Sequence, residues 1–213
     1  MIDTAVDPLV ALPRRALFLD RDGTLIADAH YLSDPAGVRL LPGAAAAVAE
    51  ANAAGVLVIV VTNQSGIARG LITAAQYEAT RERTVALLAA KGARVDATFH
   101  CPHWPETTGP CDCRKPGLGM YRQAAAQFGI ALDVAGYIGD RWRDVQPARE
   151  TGGIGVLVPG GETPEDDVET ARVHLGPRVH IAASVTEAVR LALAGLASTP
   201  EAQQPLHHAA DPE

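Results

Sequence analysis

No apolar stretch in this chain approaches the ~18 residues that a membrane-spanning helix needs. The opening residues, Met1-Ile2-Asp3-Thr4-Ala5-Val6-Asp7-Pro8, are acidic and lack the basic start and apolar middle of a secretory signal. Cysteine is scarce: there are three, all between positions 101 and 113. Such an odd, tightly clustered set makes a poor disulfide framework and a reasonable metal site, so a reducing cytoplasm is the expected location. An excess of positive charge is also missing. Lys and Arg number 18 against 25 Asp and Glu, for a net charge of −7. That balance argues against nonspecific nucleic-acid binding, which depends on clustered cations. It leaves room for a small phosphorylated ligand, because a local pocket of Arg114, Lys115 and a metal can hold one. No internal repeat is visible.

What is present is ordinary for a globular protein. The hydrophobic fraction is 47% and the charged fraction 20%. At 213 residues, length favours one domain, expected over residues 14–197 and preceded by a loose arm over 1–13. Pro, Gln, His and acidic residues make 198–213 an expected disordered tail. Three apolar runs read as buried strands: Ala16-Leu17-Phe18-Leu19, the run over residues 56–61, and Tyr137-Ile138-Gly139. A further strand is expected over residues 95–99, another over 154–158 and a last one near 179–181. Helices are expected over residues 42–54, from Thr73 through Leu88, over 117–128, from beyond Asp144 to Gly152, and over 184–196. Thr73 and Gln76 form a capping-box pair, with Ile72 and Tyr77 placed to staple that helix. Strands alternating with helices predict an α/β fold built on a doubly wound, mainly parallel, Rossmann-like sheet.

Each of the three apolar runs ends in polar, reactive side chains. Asp20-Arg21-Asp22-Gly23-Thr24 follows the first, Thr62-Asn63-Gln64-Ser65 the second, and Asp140-Arg141-Trp142-Arg143-Asp144 the third. Arg114-Lys115-Pro116 lies between the last two. In an open parallel sheet, ligands bind at the carboxyl ends of the strands. The pattern looks like a phosphate site with a metal ion.

Over residues 14–160 these four motifs, in this order, resemble the haloacid dehalogenase superfamily of aspartate-nucleophile phosphatases. The chain is most similar to its capless, zinc-containing branch of heptose bisphosphate and histidinol phosphatases. Neither residues 25–41 nor the interval between the second and third motifs leaves room for a cap, so an open site is expected. The resemblance implies that Asp20 becomes transiently phosphorylated and that Asp22 protonates the leaving group and then deprotonates water. Thr62 and Lys115 would bind and neutralise the phosphoryl group. Mg²⁺ would be held by Asp20, Asp140 and the backbone carbonyl of Asp22. Asp144 would orient Lys115 or a metal-bound water, or merely be an acid at a helix start. Arg114 is a candidate fork for substrate oxygens, and backbone N–H groups of Asn63 and Gln64 are candidate phosphoryl donors. Asp28, His30 and Tyr31 match a flap lining the substrate pocket, although His30 reads equally as an ordinary loop histidine. Ser65 is a substrate contact or a turn former. Trp142 reads as surface packing, and Arg141 and Arg143 as solvated.

The cysteine segment reads Cys101-Pro102-His103, then seven residues, then Cys111-Asp112-Cys113. Three thiolates and one imidazole complete a tetrahedral zinc site of the structural type. His103 fits the family spacing, with His100 as the alternative ligand. Cys113 precedes Arg114 and Lys115, so the zinc is expected to steady both. The implied activity is a Mg²⁺-dependent phosphatase acting on a small phosphorylated sugar, favouring the 7-phosphate of a manno-heptose 1,7-bisphosphate. Histidinol phosphate or another small ester, a nucleic-acid end, and an inactive zinc-stabilised binding module are the alternatives. A monomer or small homo-oligomer without membrane or nucleic-acid partners is expected.

Overall fold

A computed structural model describes residues 13–198. The arm and tail expected at the two ends lie outside the described residues, apart from positions 13 and 198.

Six strands form one parallel sheet: β1 (Arg14–Leu19), β2 (Leu57–Asn63), β3 (Ala97–Cys101), β4 (Ile130–Gly139), β5 (Ile154–Leu157) and β6 (Val179–Ile181). Their order is β3-β2-β1-β4-β5-β6. The chain winds outward in one direction through β2 and β3 and in the other through β4 to β6. The point of reversal, beside β1, leaves a crevice at the carboxyl ends of the strands. Register fixes which residues meet there: Leu19 pairs with Val60 on β2 and with Ile138 on β4.

Alternation along β1 sends its side chains to two cores. Leu17 and Leu19 join Val58, Val60 and Ile138 on one face, under α1 (Ala44–Ala53) and α8 (Val185–Ala197). Ala16 and Phe18 face the other way, with Ile59, Tyr121 and Tyr137, under α4 (Gly119–Phe128). There Phe18 meets Tyr121 edge-on at 5.0 Å and stacks on Tyr137 at 5.3 Å, geometries that suit the ring quadrupoles.

The capping box forms as read: Gln76 N donates to Thr73 Oγ1 at 3.1 Å and Thr73 N to Gln76 Oε1 at 2.8 Å, opening α2 (Ala74–Ala89). Several stretches differ from expectation. β3 starts two residues late, because Asp96 closes its entry by accepting from Val58 N at 2.8 Å, and it runs on into Cys101. The helix expected after Asp144 is two short ones, α5 (Trp142–Val145) and α6 (Pro147–Thr151), because Pro147 starts a new first turn. A polar helix, α7 (Glu165–Val173), which buries only Ala171, was not anticipated. The remaining helix, α3 (Pro105–Thr108), is one turn in the cysteine loop. Residues 25–41 hold one 3₁₀ turn, Pro35–Gly37, so no folded cap is present there among the described residues. No described helix is long and apolar enough to cross a membrane.

Candidate active site

The crevice holds a cleft of about 430 Å³ over the ends of β1, β2 and β4. Asp20 follows β1, and its N–H continues the ladder by donating to Ile138 O at 2.9 Å. Asp140 follows Gly139 at the end of β4, and Asp144 sits in α5 one turn later. Carboxylate oxygens from these three residues lie within 4.8 Å of one another. All three residues are buried. Burial, then the charges of Asp20 and Asp144, lift the Asp140 carboxyl to about 8. Three hard oxygen donors that repel one another in this way are a donor set for a divalent cation.

Two glycines make the cluster possible. Gly23 has φ +78°, and a Cβ there would stand 2.4 Å from Asp140 Oδ2. A Cβ on Gly139 would stand 2.3 Å from the Cβ of Asp144.

Lys115 enters the cluster from the far side. Its Nζ donates to Asp20 Oδ1 at 2.7 Å and to Val61 O at 2.6 Å, and it lies 2.7 Å from Asp144 Oδ1. Burial works against its charge, but Asp144 and then Asp20 outweigh that and hold the ammonium above the ordinary lysine value. Asp144 thus contacts Lys115 directly. Its Oδ2 also accepts from Arg141 N at 3.0 Å, so it caps α5 as well.

Asp22 lies across the cleft, with its carboxylate clasped by Arg21 and Gln64. Burial raises its carboxyl, against the Arg21 charge and with that of Asp20. Thr62 is buried at the end of β2. One expected contact takes another form. Gln64 N is spent on Cys101 O at 2.7 Å, because the chain continues the β2–β3 ladder past the strand end, so it is no phosphoryl donor. The Asn63 side chain turns to the Lys115 peptide, accepting from Lys115 N at 2.9 Å and donating to Lys115 O at 3.1 Å.

The outer rim carries the remaining residues. Asp28, His30, Tyr31 and Ser65 all line the cleft. His30 and Tyr31 adopt positive φ of 41° and 57°, with His30 N donating to Asp28 Oδ1 at 3.0 Å. Such backbone is uncommon for non-glycine residues. Arg69 and Trp104 were not anticipated here. The Arg69 guanidinium lies over the rings of both Tyr31 (5.3 Å) and Trp104 (5.0 Å) and hydrogen-bonds Tyr31 Oη. Arg114 takes the same ring of Trp104 at 5.0 Å. Trp104 directly follows His103, and that adjacency was the one signal available in the sequence. Arg141 and Arg143 also line the cleft, and Arg141 Nε donates to Asp167 Oδ2 at 2.8 Å.

Behind the rim, Cys101, His103, Cys111 and Cys113 converge. Their sulfur–sulfur distances are 3.2, 3.4 and 3.7 Å, and His103 Nδ1 lies 3.2 Å from Cys113 Sγ. A tetrahedron with metal–sulfur bonds of about 2.3 Å has sulfur–sulfur edges of about 3.8 Å; the Cys101–Cys111 distance comes close to that edge, the other two fall short of it, and all three are far too long for disulfides. His100 is excluded as a ligand, because strand alternation turns it away from Cys101 to meet the Tyr77 ring, tilted by 38° with centroids 4.2 Å apart.

An aspartate beside a lysine and a carboxylate cluster, at the carboxyl ends of parallel strands, is equipment for phosphoryl transfer. Comparison with known proteins agrees. Residues 112–188 match a family model described as HAD-hydrolase-like. A D-glycero-beta-D-manno-heptose-1,7-bisphosphate 7-phosphatase of Rhodopseudomonas palustris is 37% identical over 163 residues, 74% of this chain and 88% of the relative. Its counterpart in Escherichia coli K12 is 37% identical over 162 residues, 73% and 85% of the two chains. A crystal structure of D,D-heptose 1,7-bisphosphate phosphatase from B. bronchiseptica, with magnesium and phosphate, superposes with a TM-score of 0.71 at 33% identity. That match covers 83% of this chain and 96% of the other. The chain belongs to the haloacid dehalogenase-like phosphatases, enzymes that hydrolyse phosphoric monoesters. Among its relatives, those named here are heptose bisphosphate phosphatases.

Proposed function

We propose that this enzyme removes the 7-phosphate of D-glycero-D-manno-heptose 1,7-bisphosphate through an aspartyl-phosphate on Asp20, the unit responsible being residues 14–197. The observation that carries the reading is the Asp20–Lys115–Asp144 contact at 2.7 Å, set beside Asp140 in the cluster. The names of the relatives support the sugar.

An Asp20 oxygen attacks phosphorus in line, and the ester P–O bond breaks. Asp22 gives its proton to the departing sugar oxygen. Water then attacks the phosphorus of the aspartyl-phosphate, Asp22 takes the water's proton, and phosphate leaves with Asp20 restored. Thr62 donates its hydroxyl to a phosphoryl oxygen, and the Lys115 ammonium offsets the negative charge that a dianionic ester brings to a carboxylate. Asp20 and Asp140, with the Asp22 carbonyl, would hold Mg²⁺, which supplies the further charge neutralisation that phosphoryl transfer requires. The mutually repelling carboxylates of Asp20 and Asp140 fit that ion. Cys101, His103, Cys111 and Cys113 would hold a structural Zn²⁺. At the mouth, Arg69 and Arg114 have no carboxylate within ion-pair distance among the described residues. Held on Tyr31 and Trp104, they suit the phosphate that does not react.

The test is phosphate release from heptose 1,7-bisphosphate, followed by phosphorus NMR with Mg²⁺ present, alongside histidinol phosphate. Loss of the 7-phosphate with the higher kcat/KM is expected, and Asp20→Asn should abolish it by at least about a thousandfold while keeping the native circular dichroism. Residual turnover well above that level would move the nucleophile elsewhere. Preference for histidinol phosphate would overturn the sugar alone.

A further inference from the structure

Arg21 stands between the two carboxylates of the first motif and has no part in the chemistry above, yet it is only 2% exposed. A guanidinium removed from water needs partners for its charge and its donors. It turns back on its neighbour. Nε lies 3.1 Å from both Asp22 oxygens, and Nη2 donates to Oδ2 at 2.9 Å. Its other edge rests on α2, with Nη1 3.4 Å from Thr80 Oγ1 and the guanidinium 5.3 Å from the centre of the Tyr77 ring. Thr80 Oγ1 spends its own proton on Tyr77 O at 2.8 Å, so it meets Arg21 as an acceptor.

Gln64 completes the clasp from β2. Its Nε2 donates to Asp22 Oδ2 at 2.8 Å and to Thr62 Oγ1 at 2.8 Å. Only the NH₂ end of an amide can face a carboxylate, which fixes the orientation of the group. Both its protons are then committed. Thr62 Oγ1 is thereby an acceptor toward Gln64, and its own proton is left for the cleft. Three donors crowd onto Asp22 Oδ2, whereas Oδ1 receives only Nε at 3.1 Å. The carboxyl is held by one oxygen with the other left freer.

We propose that Arg21 and Gln64 are positioning residues that jointly hold the Asp22 carboxyl and the Thr62 hydroxyl in register, so that proton delivery to the leaving oxygen coincides with phosphoryl binding. The inference rests on the assignment of Asp22 as the acid. Proton delivery matters for an alkyl ester, whose leaving alkoxide is strongly basic. It matters little for 4-nitrophenyl phosphate, because 4-nitrophenolate departs unprotonated.

The test measures kcat/KM with saturating Mg²⁺ on the heptose bisphosphate and on 4-nitrophenyl phosphate. The proteins are the wild type, Asp22→Asn, Gln64→Met and Arg21→Lys, with thermal melts to establish that each is folded. Gln64→Met keeps the side-chain length and removes both donors; Arg21→Lys keeps the charge and removes the fork. Both should lose at least about tenfold more on the alkyl ester than on the aryl ester, in the same direction as Asp22→Asn. Equal losses on the two esters, with Asp22→Asn still selective, would overturn the clasp and leave the phosphatase reading intact. Should Asp22→Asn also lose equally on both, the acid assignment fails and the clasp with it, while Asp20→Asn still reports separately on the nucleophile.

Discussion

The amide of Asn63 closes both of its hydrogen bonds on the Lys115 peptide, at 2.9 and 3.1 Å. A side chain adjoining the phosphate site thus tethers the lysine loop to the end of β2. Asn63→Ala removes both bonds, at an expected cost of about 1–3 kcal/mol in stability. If Asn63 acts through Lys115 alone, kcat should fall by roughly tenfold with KM within about twofold; a selective rise in KM would show that it touches substrate after all. Position explains what could be read at this scale. Asp20, Thr62 and Asp140 each follow an apolar run, so their delivery to one edge of a sheet is visible in the sequence. Whether Asn63 and Gln64 present their side chains or their backbone to the cleft depends on the neighbouring strand. It is Cys101 O that takes Gln64 N.

Among the elements, the cysteine loop is the one least able to hold itself. Its single turn, α3, buries no residue, so apolar packing cannot order it. A zinc ion bonded to four side chains can. The loop carries Trp104, on whose face both rim arginines rest, and it runs directly into Arg114 and Lys115. Cys111→Ser should lower the zinc content from about one per chain, depress the melting temperature, and reduce kcat and raise KM together, although no zinc ligand meets the substrate. Unchanged zinc by mass spectrometry of metals would remove the metal site. Elements with an apolar signal were legible, including the Thr73 cap of α2. α7 was not, because a helix that buries only Ala171 lacks a periodic stripe. The first half of β4, Ile130 to Gly136, was also missed. It follows the end of α4 after one glycine, and Asp133 interrupts its apolar run.

At the scale of the molecule, the reaction site rests on the packing beneath β1. Phe18 lies two residues before Asp20 and contacts Tyr121 and Tyr137 from α4 and β4. Phe18→Ala should cost about 3–5 kcal/mol and lower the melting temperature by roughly 10 °C. Calorimetry would show a shift of under about 3 °C only if that face of the sheet repacks almost completely, a result contrary to the buried aromatic contact. Taken alone, the sequence determined the class of fold, the family and the set of charged groups at strand ends, because hydrophobic period and motif order are local properties of a chain. Tertiary structure decided the rest. That Asp144 meets Lys115, that His100 leaves the zinc cluster, that Arg69 shares Trp104 with Arg114 and that Arg21 folds back onto Asp22 all follow from strand order and side-chain direction, which bring together residues far apart in the chain or turn neighbours onto opposite faces.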